Sequence, residues 1–94
     1  MHQLLEDLRT AWSEEDRESR NEVVARAKAD AYVAEFPEQF EGWENMAMPD
    51  LVRAVETFRD AGMEADRWKV EAYLLHRFKP QQIGGTYVAE VRSV

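Results

Sequence analysis

Leu4, Leu5, Leu8, Ala11 and Trp12 recur every three to four residues, a spacing that gathers them on one face of a short amphipathic helix. The apolar pattern then stops. Residues 13–22, Ser-Glu-Glu-Asp-Arg-Glu-Ser-Arg-Asn-Glu, offer no apolar side chain, so in any register this decapeptide faces solvent or a partner. Ser13 ahead of Glu14, Glu15 and Asp16 is a helix start: the hydroxyl accepts from an orphan backbone N–H, and the carboxylates sit against the positive end of the helix dipole. Ser19 with Glu22 is a second capping pair. The pattern predicts a break near Trp12–Ser13 and a helix over about 14–35, with one continuous helix over 3–35 as the alternative.

That second helix carries Val23, Val24, Ala27, Ala31 and Ala34 along one side and Ala25, Ala29, Val33 and Phe36 along another. Two apolar sides built from small residues predict two closely packed neighbours and a central position. Phe36-Pro37 ends it, because the residue before proline is pushed out of the helical region. Residues 37–48 read as a connector in which Pro37 begins a short turn carrying Phe40 and Trp43, with Gly42 allowing a bend.

Pro49 and Asp50 open a third helix with Leu51, Ala54, Val55, Phe58 and Ala61 at helical spacing, and Gly62 closes it. A fourth, over about 64–78, carries Trp68, Val70, Ala72, Tyr73, Leu74, Leu75 and Phe78 and ends before Pro80. Phe58, Trp68, Leu74 and Leu75 are the expected centre of the core. After Gly84-Gly85, Thr86–Val91 alternates as a strand, which needs a partner in another chain, a minimal hairpin or a place as an ordered tail. The expected fold is therefore mainly α: a small bundle of about four helical segments with a short C-terminal strand or extended tail. It forms one domain over 1–94, divided into an acidic helical part (1–48) and a helical hairpin plus strand (49–94).

Composition narrows the chemistry. With 94 residues there is room for one core, and without cysteine there is no disulfide, thiolate nucleophile or zinc finger. No stretch is apolar enough for a membrane span or signal peptide, so a cytoplasmic protein is expected. The net charge of −7 is unevenly spread: acids crowd residues 1–66, whereas 67–94 hold Arg67, Lys69, Arg77, Lys79 and Arg92 against only Glu71 and Glu90. Such an overall field disfavours nucleic acid and anionic lipid.

Catalytic patterns are missing. His2 and His76 lack a second histidine at metal-ligand spacing, and Ser13, Ser19 and Ser93 sit in cap or terminal settings rather than a nucleophile elbow. Glu35, Glu38, Glu41 and Glu44 recur around Phe36, Phe40 and Trp43, a pattern that suits either a solvated connector or hydrophobic anchors within a negative rim. The expectation is a non-catalytic module without cofactor or metal. It would bind a protein through Glu14, Glu15, Asp16 and Glu18 together with Phe40 and Trp43, and the unpaired strand favours a homodimer. One alternative is a small DNA-binding regulator using the helices of 49–78 with Arg67, Lys69, Arg77, Lys79 and Arg92. Another is an acidic inhibitor occupying a basic site on a second protein.

Overall fold

The first helix, α1 (Gln3–Ala11), starts where His2 Nδ1 accepts the Leu4 N–H at 3.0 Å and turns Leu5, Leu8 and Ala11 inward, followed by buried Trp12. The computed structural model describes residues 1–12, 20–78, 80–83 and 86–89, the last two segments by their backbone. The chain re-enters at Arg20, whose guanidinium lies 5.2 Å above the Trp12 ring, and the Asn21 N–H donates to the Ala11 carbonyl at 2.9 Å. Asn21 Oδ1 accepts from the Val24 N–H at 3.1 Å, and α2 runs from Glu22 to Glu35.

The second helix is thus shorter than the predicted 14–35. Arg20 and Asn21 are non-helical, which excludes a continuous helix over 3–35, and the cap is Asn21. Ser13 and Ser19, the predicted caps, lie outside the described residues. An asparagine satisfies an orphan N–H as well as a serine does, and here its own N–H is also held by α1. Asn21→Ala should cost about 1 kcal/mol in denaturant unfolding, and an unchanged midpoint would deny the cap its role.

Phe36 ends α2 as the sequence predicts, and the connector folds as two 3-10 turns, Pro37–Phe40 and Trp43–Asn45. Gly42 separates them at φ 84°, a left-handed conformation that glycine adopts without steric cost. In α3 (Met48–Asp60) the Asp50 carboxylate accepts the Ala47 N–H at 3.3 Å. Its end is a Schellman cap: Gly62 has φ 73°, its N–H donates to the Arg59 carbonyl, and the Met63 N–H donates to the Phe58 carbonyl. α4 (Glu64–Arg77) follows directly.

The packing assigns the centre to α4, against the expectation for α2. α4 touches α1, α2 and α3, and its interior includes Trp68, Val70, Ala72, Tyr73, Leu74 and Leu75. Those residues join Leu5, Leu8, Tyr32, Phe40, Leu51 and Val55 in one cluster, so α1, α2 and the connector share a core with α3 and α4. Phe58 is half-buried at the edge of this core, whereas Trp68, Leu74 and Leu75 are inside it as predicted.

Beyond α4, the backbone of β1 (Pro80–Ile83) pairs antiparallel with β2 (Thr86–Ala89), in a register that sets Pro80 opposite Ala89 and Ile83 opposite Thr86. Pro80–Ile83 has no alternating pattern, which is why the sequence showed only the second strand. This pairing is the minimal hairpin among the three outcomes the sequence allowed, and it gives Thr86–Ala89 a partner within its own chain. Val91 and the Gly84-Gly85 turn lie outside the described residues. Among the described residues, no helix is long and apolar enough to cross a membrane.

Candidate functional site

The connector is held from two directions. Phe40 is 4% exposed and stacks on Tyr73 with ring centres 5.3 Å apart and planes 15° apart, while Trp43 stands edge-on to both rings at 5.0 and 5.4 Å. From α4, Arg77 Nη1 donates to the carbonyls of Trp43 and Met46, each at 2.9 Å, and the guanidinium lies over Tyr73 and Phe78. Phe40 is therefore a core residue rather than a free anchor, and only Trp43 presents part of its ring to solvent. Glu35, Glu38, Glu41 and Glu44 are all exposed, as both a solvated connector and a negative rim around the aromatics require. Their field reaches Tyr32, whose hydroxyl donates to Gln39 Oε1 at 3.1 Å. Burial pushes the Tyr32 phenol above its ordinary range and the charges of Glu35 and Glu38 push the same way, against the opposing hydrogen bond to Gln39.

Two basic residues of α4, Arg67 and Arg77, are taken up in packing contacts. Arg67 is 7% exposed, with Nε 3.6 Å from Glu71 Oε1, Nη1 3.7 Å from Glu64 Oε1 and its guanidinium 4.7 Å from the Trp68 ring centre. Arg77 is the connector clamp, and Lys69 pairs with Asp66 at 4.0 Å. From α2, Arg26 Nη1 donates to the carbonyls of Leu75 and Phe78, satisfying groups at the C-terminal end of α4. A DNA-reading helix needs its cations exposed in a groove. α4 instead commits Arg67 to the interior and Arg77 to the carbonyls of the connector, and Lys79 and Arg92 lie outside the described residues.

Glu14, Glu15, Asp16 and Glu18 also lie outside the described residues, as do the three serines. His76 Nδ1 stands 2.8 Å from Asp30 Oδ1, joining α4 to α2 at the surface. Among the described residues, no group of three or more His, Cys, Asp or Glu is placed to hold a metal.

The feature that departs most from the sequence expectation is the outer side of α2. Ala25, Ala29 and Tyr32 face the core, where α2 meets both α1 and α4 on the same side. Val23, Val24, Ala27, Ala31 and Ala34, predicted to meet a second neighbour, are all exposed, Val23 at 80% and Val24 at 39%. Their spacing makes one continuous apolar stripe, flanked by Asp30 on one edge and by Lys28 and Glu35 on the other. The glutamates of the connector continue from its C-terminal end. Single surface apolar residues are ordinary, whereas a contiguous patch rimmed by polar groups marks an interaction surface.

Comparison of the chain with protein-family models, with curated proteins and with solved structures finds no match.

Proposed function

We propose that this protein is a non-catalytic cytoplasmic module that binds a basic, apolar-faced segment of another protein along the open side of α2. The observation that carries this is the exposed Val23–Ala34 stripe. Alanines at 27, 31 and 34 are accounted for by helix propensity alone, since alanine is the best helix former. Valine at 23 is not: a β-branched side chain costs helix stability, and at 80% exposure it recovers little by packing, while Val24 beside it is still 39% exposed. A partner that covers them supplies the missing gain, and the small side chains beyond let its backbone come close. Glu35, Glu38, Glu41 and Glu44 set the sign of that partner's charge, and half-buried Trp43 adds an aromatic contact at the same end. The acidic stretch containing Glu14, Glu15, Asp16 and Glu18 adds to the same long-range attraction.

The test compares the native chain with Ala27→Arg/Ala31→Arg, two bulky cations set in the stripe. Surface substitutions of this kind change stability by no more than about 0.5 kcal/mol, so folding is expected to be retained. Proteins cross-linked to the native chain in cytosol should be lost with the variant, should release as salt is raised, and should map to basic segments. An identical set of captured proteins for both chains would overturn the proposal. Light scattering on the isolated protein separates a second copy of the chain from a different partner, because a dimer that dissociates in Ala27→Arg/Ala31→Arg makes the occupant the protein itself.

Replacing Glu14, Glu15, Asp16 and Glu18 by Gln or Asn addresses the acidic stretch separately. Exposed ion pairs contribute only about 0–1 kcal/mol each, so the melting temperature should hardly move while capture of the partner weakens. A variant that unfolds would make these acids structural.

A further inference from the structure

We draw no further inference here: the strongest candidate, the open groove of about 530 Å³ between the Asn45–Met46 connector and α3, carries nothing because its polar groups, Asn45, Asp50, Arg53 and Thr57, are all exposed and nothing in the structure shows what covers its apolar floor of Met46, Ala54 and Phe58.

Discussion

Arg67→Met is expected to destabilise the protein by about 3–5 kcal/mol, the cost of removing one member of a buried ion pair and leaving the other in the interior. Glu71 is 0% exposed and Arg67 only 7%, so neither charge recovers its hydration when the other is taken away. At roughly 4–8 °C per kcal/mol for a domain of this size, the melting temperature should fall by more than about 12 °C. Methionine keeps much of the apolar stem, so most of the loss belongs to the charge rather than to a cavity. Adding Glu71→Gln should return part of the stability, because the neutral amide is cheaper to hold inside. The double-mutant cycle should then show a coupling of about 0.5–3 kcal/mol. A loss below about 1 kcal/mol for Arg67→Met, or strict additivity of the two changes, would mean that the pair is not the interior contact the structure draws.

This pair also explains why the sequence misidentified the central helix. An apolar period marks helices that are half exposed, and α3 obeys it: Leu51 and Val55 are buried, and Pro49, Asp50 and Gly62 punctuate its ends as local chemistry requires. α4 breaks the pattern by burying Arg67 and Glu71 at i, i+4, with Arg67 Nε 3.6 Å from Glu71 Oε1. On the sequence they look like two solvent positions, so α4 resembled an ordinary amphipathic helix. α2 misled in the opposite direction, because alanine suits a closely packed interface and a solvated face equally well. Only its neighbours decide, and α1 and α4 both take the same side. The connector shows the same limit within one motif. Phe40 and Trp43 are three residues apart among similar glutamates, yet Gly42 places them on separate turns, one beneath Tyr73 and the other at the rim. The exposure of those glutamates was legible, since charges in a connector with few apolar neighbours have nowhere to go but solvent.

Arg77→Ala is expected to loosen the connector and to cost about 2–4 kcal/mol. A hydrogen bond from a charged donor contributes about 1.5–3 kcal/mol, and Arg77 makes two of them, to the carbonyls of Trp43 and Met46. Some is recovered because these carbonyls are only partly buried, and water replaces the guanidinium at part of its position. The second consequence is local. Trp43 stays against Phe40 and Tyr73 because its backbone is tied to α4, so without the clamp its ring should become more exposed. Trp12 and Trp68 are buried elsewhere, so the red shift in emission should vanish when the comparison is repeated in a Trp43→Phe background. Arg77→Lys separates charge from geometry. An ammonium keeps the positive charge at the C-terminal end of α4 but lacks the planar fork, so it should retain less than half of the lost stability and still show the Trp43 shift. If Arg77→Ala unfolds within about 1 kcal/mol of the native chain and leaves Trp43 emission unchanged, the connector is held by its aromatic stack alone. Arg77 would then be available to a ligand, and the charge map from which the basic partner is inferred would have to be redrawn.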